Sequence, residues 1–326
     1  MSPGVPIVLI WDPIRDLDWS YEPERELLAA EGVALVVPDV DRASLGQLQR
    51  ADVLIVSDPF PAELLPHLTR CVGIICYSVG MDAVDLTAAS AMNIPVTNVA
   101  GYCTDEVSDH AMALLLAVER RLIPFTRCAQ DGDWDVYSRA DFHEIRRLRG
   151  QTVGIIGLGR IGCQVAAKCS AFGMKVIAFD PYLGESPGEF VELCDLDVLL
   201  SRSDIVVLCS ALTDSSRRLL DADRIAVLRP GVVIVNVARG ALIDEDALRV
   251  ALESGHVSAA ALDVRTSEPP NADSDLLRAL PNVVLTPHMA ATSREARHDL
   301  HVLAAQRALE LLSDVGRVAA GVRANS

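Results

Sequence analysis

The sequence predicts an α/β protein with two parallel sheets. Apolar runs of strand length alternate with helix-length segments along most of the chain, the pattern of strands joined by crossover helices. A glycine-rich turn, Gly157-Leu158-Gly159-Arg160-Ile161-Gly162, stands between one such strand and one such helix. With 326 residues, half of them hydrophobic and 23% charged, the chain is too long for one core and too apolar for disorder, so two domains are expected.

The elements follow in order. The first hundred residues place strands at 7–11, 33–37, 53–57 and 72–76 and helices at 22–30 and 45–50; the last strand runs into a polar turn, 77–82. A second region opens near residue 100 with one long helix, 104–122, in which Val107, Ala111, Leu114, Leu115 and Val118 recur near helical spacing. Residues 127–149, rich in Arg, Asp, Trp and Gly, read as a connector with a short helix. The alternation then becomes regular, with strands at 153–156, 175–179, 205–208, 232–236, 258–262 and 283–285. Helices fall at 161–172, 221–227 and 244–253, and a turn at 181–188. This is a complete doubly wound unit, and a final helix, 292–312, follows it.

Composition narrows the function. Asp and Glu number 45 against 29 Lys and Arg, a net charge of −16, which disfavours nucleic-acid binding. Lys168 and Lys175 are the only lysines, so guanidinium recognition of anions is better supplied than lysine chemistry. The eight cysteines form no CxxC pair and mostly sit in apolar runs, as buried small hydrophobes do. Apart from His288, the histidines (67, 110, 143, 256, 298, 301) have no metal-ligand spacing, so no metal is expected. The start shows no signal-peptide pattern and no apolar stretch reaches membrane-spanning length; a soluble, reducing, cytoplasmic setting is the expectation.

The glycine motif carries the most specific chemistry. Gly157 permits a tight turn, Gly159 lets backbone approach a pyrophosphate, and Gly162 allows helix and strand to pack closely, while the N–H groups at Arg160 and Ile161 open the helix toward the phosphates. Asp180 ends the next strand, 18 residues beyond Gly162. A carboxylate there accepts from a ribose 2′-hydroxyl and repels a 2′-phosphate, favouring NAD over NADP. Three polar clusters end later strands: Asn236-Val237-Ala238-Arg239-Gly240, Asp263 to Glu268, and Pro287-His288. Ligands of open parallel sheets bind at such strand ends. Arg239 offers a planar fork for a carboxylate or carbonyl oxygen, His288 a proton donor or acceptor, and Glu268 a partner to orient its ring. Taken singly, each also reads as a surface arginine, a structural histidine or a turn-capping acid.

These stretches, with Ala261-Leu262-Asp263-Val264, Glu268-Pro269 and Thr286-Pro287-His288, resemble in order and spacing the D-isomer-specific 2-hydroxyacid dehydrogenases over nearly the whole chain. The resemblance implies two Rossmann-like parallel-sheet domains. A nucleotide-binding domain, 100–290, is inserted into a flavodoxin-like substrate domain made of 1–99 and 291–326. It implies hydride transfer between NAD and C2 of a small 2-keto or 2-hydroxy acid, and a homodimer with the 104–122 region at its interface. Arg239, Glu268 and His288 match the family's substrate-binding arginine, glutamate partner and acid/base histidine. Ser78, Val79 and Gly80 match the loop whose amides receive the substrate carboxylate. Thr104 and Asp263 match positions near the nicotinamide, and Ser210, Ala211 and Val237 match strand-end contacts to the dinucleotide.

The chain also departs from the pattern. It has Cys209-Ser210-Ala211 where the family often has His-Val-Pro or His-Cys-Gly. Residues 179–182 and 261–269 are similar to the C-terminal-binding-protein corepressor branch, but Met289-Ala290-Ala291 stands where that branch has Ala-Ala-Trp. An NAD(H)-sensing binding protein and a dehydrogenase of phosphite-type anions are the alternatives. The latter calls for an extra cation near the 77–82 loop, and no Lys or Arg occurs from 71 to 119.

Overall fold

The computed structural model describes residues 4–11, 14, 19–39, 42–186, 188–271 and 275–318. Residues 1–3 and 319–326 of the expected outer domain, and residue 187 of the expected turn, lie outside these. The chain divides into two compact units, Met1–Cys103 with Ser293–Ser326, and Thr104–Thr292.

The first unit runs β1 (Ile7–Ile10), α1 (Glu22–Ala30), β2 (Ala34–Val36), α2 (Leu45–Leu48), β3 (Val53–Val56), β4 (Gly73–Cys76), α3 (Leu86–Ala91) and β5 (Val96–Asn98). Its sheet has the order β2-β1-β3-β4-β5 with every pairing parallel, the flavodoxin-like order. β3 and β4 are buried at every position, which is why they read as unbroken apolar runs rather than alternating ones.

The second unit contains α4 (Thr104–Glu119), α5 (Leu122–Gln130), α6 (Ala140–His143), β6 (Thr152–Ile156), α7 (Arg160–Ala171), β7 (Lys175–Phe179), β8 (Val191–Leu193), α8 (Leu196–Arg202), β9 (Ile205–Leu208), α9 (Ala222–Ala226), β10 (Val232–Asn236), α10 (Glu245–Glu253), β11 (Val257–Leu262) and β12 (Val283–Leu285). Its parallel sheet has the order β12-β11-β10-β9-β6-β7-β8, which reverses direction at β6 and β9. Asn236, Leu262 and Leu285 end in register, so the segments that follow β10, β11 and β12 leave the sheet side by side. α11 (Arg294–Asp314), capped by the Ser293 side chain on the Ala296 N–H at 2.8 Å, returns to the first unit. There Leu300, Ala304, Ala305, Ala308, Leu309 and Leu312 pack with Leu28, Val53 and Ile75.

Three expectations need correction. The helix expected over 104–122 is two helices, broken at Arg121 with φ +51°. Pro124 is the reason: its ring would clash with the carbonyl of Arg120 in a continuous helix, but it is tolerated in the first turn of a new one. The segment 127–149 therefore begins inside α5 and carries α6 after a turn of 3₁₀ helix at Val136–Ser138. Between 189 and 204 the chain forms β8 and α8, and between 86 and 98 it forms α3 and β5, none of which was assigned. α8 buries Leu196, Leu199 and Leu200, whereas β5 and β8 are three-residue strands, too short for a period to show.

Candidate active site

The glycine turn has the geometry its sequence demands. Gly157 has φ +90°, and a Cβ on it would lie 2.6 Å from the Ser210 backbone. A Cβ on Gly162 would lie 2.0 Å from the Gly157 carbonyl oxygen, whereas one on Gly159 would meet nothing within 4 Å. The outer two glycines are thus required by the fold, and the middle one faces open space. Gly159 is also the N-cap of α7 and caps it with no side chain, so the first N–H groups of the helix, at Arg160 and Ile161, are not taken by a side-chain cap.

Asp180 follows β7 beside this turn. Its Oδ2 accepts from the Leu158 N–H at 2.9 Å and its Oδ1 from the Tyr182 N–H at 3.0 Å. Ser210 and Ala211 follow β9, the strand across β6 from β7. The Ser210 hydroxyl is buried without a hydrogen-bond partner among the described residues. An open glycine, an uncapped helix N-terminus and an orphaned hydroxyl together fit the diphosphate of a dinucleotide.

The candidate reacting groups stand at the ends of β10, β11 and β12. Asn236, fully buried, accepts from the Ala238 N–H at 3.0 Å and donates to the Arg239 carbonyl at 2.9 Å, which shapes the turn containing Val237 and Arg239. Arg239 is half-buried and donates through Nη1 to the Ala238 carbonyl at 2.7 Å. Glu268 Oε2 lies 2.6 Å from His288 Nδ1, and Glu268 Oε1 accepts from the Arg265 N–H at 2.7 Å. With Nδ1 engaged by the carboxylate, His288 Nε2 is the atom left for chemistry. His288 has φ +50°, rare for a residue with a side chain, and its N–H bonds to the Asp263 carbonyl at 2.8 Å.

Asp263, singled out by the sequence, is joined in holding this arrangement by Thr286, His110, Arg265, Glu245 and Asp275, to which the sequence alone assigns no role. The buried Asp263 carboxylate accepts from the Met289 N–H at 3.0 Å, the Ala290 N–H at 2.9 Å and the Thr286 hydroxyl at 2.6 Å. His110 Nε2, on α4, sits 3.0 Å from the Thr286 hydroxyl and 3.4 Å from Asp263. Arg265 is forked between Glu245 at the start of α10 and Asp275, with contacts of 2.9 Å to each. Its guanidinium is partly desolvated, yet these two carboxylates hold its pKa above the ordinary arginine value. Arg265 and Thr286 have a local signal, since both lie inside strand-end clusters, whereas His110, Glu245 and Asp275 have none. Thr104 opens α4.

The 77–82 loop lies in the first unit, after β4. Three successive carbonyls of it are engaged: Ser78 accepts from the Val99 N–H at 3.1 Å, Val79 from the Asn98 side chain at 2.5 Å, and Gly80 from the Ser78 hydroxyl at 2.9 Å. The N–H groups of Ser78, Val79 and Gly80 have no partner among the described residues. Three free amides in sequence are donors available to an anion. No group of three or more metal-ligating side chains occurs among the described residues.

The family model described as D-isomer specific 2-hydroxyacid dehydrogenase, NAD binding domain, matches residues 112–290. The chain belongs to the D-isomer-specific 2-hydroxyacid dehydrogenase family. A D-3-phosphoglycerate dehydrogenase of Archaeoglobus fulgidus is 41% identical over 70% of this chain and 43% of its own length. A glycerate dehydrogenase of Methylorubrum extorquens is 34% identical over 77% of this chain and 79% of its own. Among solved structures of the same fold, an acyclic imino acid reductase in complex with NADPH and D-Arg superposes with a TM-score of 0.83 at 26% identity, covering 96% of this chain and 99% of that one. The chain spans about half the length of the D-3-phosphoglycerate dehydrogenases it matches. Nicotinamide-dinucleotide binding goes with membership of the 2-hydroxyacid dehydrogenase family.

Proposed function

We propose that this protein is an NAD-dependent D-2-hydroxyacid dehydrogenase that interconverts a small, unphosphorylated 2-keto acid and its 2-hydroxy acid. The 2.6 Å pairing of Glu268 with His288 at the strand ends carries the reading, because a sensor of nucleotide alone has no use for an oriented proton donor. A bound nicotinamide supplies or accepts the hydride at C2. The amides of Ser78, Val79 and Gly80 hold the substrate carboxylate, and the Arg239 fork engages the carboxylate and polarises the keto oxygen. His288, held by Glu268, delivers the Nε2 proton to that oxygen during reduction and removes it during oxidation. In the nucleotide site Gly159, Arg160 and Ile161 receive the diphosphate on a turn that Gly157 and Gly162 shape. Thr104, Ser210, Ala211, Val237 and Asp263 complete the contacts, and Asp180 selects NAD over NADP by accepting from the ribose 2′-hydroxyl.

The preference for an unphosphorylated acid is supported by the sequence around the carboxylate loop, which has no Lys or Arg from 71 to 119 and carries Asp82. Exposed Leu122, Ile123, Trp134 and Tyr137 in the second unit support a homodimer through this region. Eight cysteines held as thiols rather than disulfides support a reducing, cytoplasmic setting. The test is a panel of glyoxylate, hydroxypyruvate, pyruvate, phenylpyruvate and branched 2-keto acids with NADH and NADPH. Oxidation of NADH with at least one of them is expected. Tight NADH binding with no turnover on any would replace this reading with a nucleotide sensor, and turnover of phosphite instead would replace the substrate class.

A further inference from the structure

The core of the first unit holds a buried polar cluster. Glu24 of α1, His301 of α11 and Tyr77, the residue after β4, meet inside the apolar core, at 0%, 4% and 6% exposure. His301 Nδ1 is 2.6 and 2.7 Å from the two Glu24 oxygens and 2.7 Å from the Tyr77 hydroxyl. The Tyr77 hydroxyl donates to Glu24 Oε1. The Trp19 and Tyr21 rings wall the cluster, with centroids 5.2 and 6.0 Å from the His301 ring. Burial and the adjacent Glu24 carboxylate raise the pKa of the Tyr77 phenol, so it keeps its proton and remains a donor.

Holding α1 and α11 on the sheet does not require these groups. Taking a carboxyl group and an imidazole out of water carries a desolvation cost, and apolar side chains of similar volume often hold such a core as well or better. What the cluster adds is direction. The Tyr77 N–H continues the sheet by bonding the Val56 carbonyl at 2.8 Å, while its hydroxyl is clasped from the far side of the core. The backbone is therefore fixed at both the amide and the side-chain end of Tyr77. The next three residues are those whose carbonyls are engaged and whose N–H groups are free.

We propose that Tyr77, clasped by Glu24 and His301, is a positioning residue that aims the Ser78–Gly80 amides at the substrate carboxylate; this rests on the reading of that loop given above. The clasp touches no reacting atom. It sets substrate affinity and leaves the proton-transfer step and the nucleotide site alone.

Tyr77→Phe removes one hydroxyl and keeps the ring. With the 2-keto acid that the wild-type protein reduces fastest, KM is expected to rise about tenfold, the weight of one hydrogen bond. kcat is expected to stay within about threefold, the signature of lost uniform binding. NADH affinity should not change. A general loosening of the fold would lower kcat and NADH affinity as well, so the split separates positioning from structure. Should Tyr77→Phe not fold, Glu24→Gln is measured instead, with the same split expected.

Val79→Pro, which deletes one amide of the loop, tests the underlying reading separately. If it raises KM while Tyr77→Phe leaves KM unchanged, the clasp is refuted and the carboxylate loop stands. If it leaves KM unchanged, the loop reading falls and the clasp with it, and a chain that reduces no 2-keto acid ends both.

Discussion

Replacing Gly240 with alanine is the sharpest single test of how the reacting groups are held. An alanine Cβ there would lie 1.9 Å from the Arg265 carbonyl carbon and 2.2 Å from the Thr266 nitrogen, where real Cβ atoms come no closer than 3.0 Å. The Arg265 peptide therefore has to retreat by about 1.1 Å. It cannot do so freely, because its side chain is forked to Glu245 and Asp275 and the Thr266 N–H bonds Glu245 at 2.7 Å. The strain passes to Glu268, which bonds the Arg265 N–H at 2.7 Å and His288 at 2.6 Å. A displacement near 1 Å at such a pair lowers kcat about 100-fold, and overpacking of this kind costs about 1–3 kcal/mol in stability. The assay is steady-state reduction of the best 2-keto acid, with NADH affinity by fluorescence and the thermal midpoint measured alongside. Gly46→Ala, where a Cβ meets nothing within 4 Å, serves as the neutral control. A Gly240→Ala protein with kcat within about threefold of wild type would show that the 265–268 loop does not govern the histidine.

Other expectations follow from the same geometry. His288→Gln keeps a polar side chain but loses the titratable nitrogen, so kcat should fall about 10²–10⁴-fold with NADH affinity unchanged; an equal loss of both would deny it the acid/base role. Asp180→Ala removes the carboxylate that repels a 2′-phosphate, so the NADH-to-NADPH ratio of kcat/KM should fall by about tenfold or more, and an unmoved ratio would place the selector elsewhere. Burial pushes the thiols of Cys76, Cys169 and Cys209 from 9.0 to about 12. The folded chain thus keeps protons that the unfolded chain releases above pH 9, so this stability is fully present below pH 9 and is lost as pH rises toward 12. The urea midpoint should hold from about pH 7 to 9 and then drop by about pH 10.5, with a shallower drop in Cys169→Ala; a midpoint flat through that range would contradict it.

Much of the second unit was legible because its demands are local. The glycine turn has spacing set by one strand, one turn and one helix within ten residues, and each glycine answers a separate contact. The strand-end clusters were legible for a similar reason, since a parallel sheet brings its carboxyl ends to one edge whatever the connections. Partners that come from far along the chain were not. His110 reaches Asp263 and Thr286 from a helix more than 150 residues earlier, and on its own turn it is one polar residue among several. Glu24 and His301 are separated by 277 positions and look like ordinary surface residues of charged helices. The break at Arg121 had a signal in Pro124, but the apolar spacing of 107–118 outweighed it. β5 and β8 had none, because three residues cannot display an alternation.

The return of α11 to the first unit has a consequence for how the protein is made. Six of its side chains belong to that unit's core, yet they are encoded after all of Thr104–Thr292. During synthesis the second unit is complete and free to fold while β3 and β4 still lack the helix that packs over them. At roughly 5–20 residues per second the wait is on the order of 10–40 s. Through that interval part of one face of an apolar parallel sheet stays open, and Glu24 and Tyr77 lack the imidazole that completes their clasp. Of the two units, the one whose translation starts earlier is completed later, so chaperone dependence and translation-rate sensitivity are expected to concentrate there.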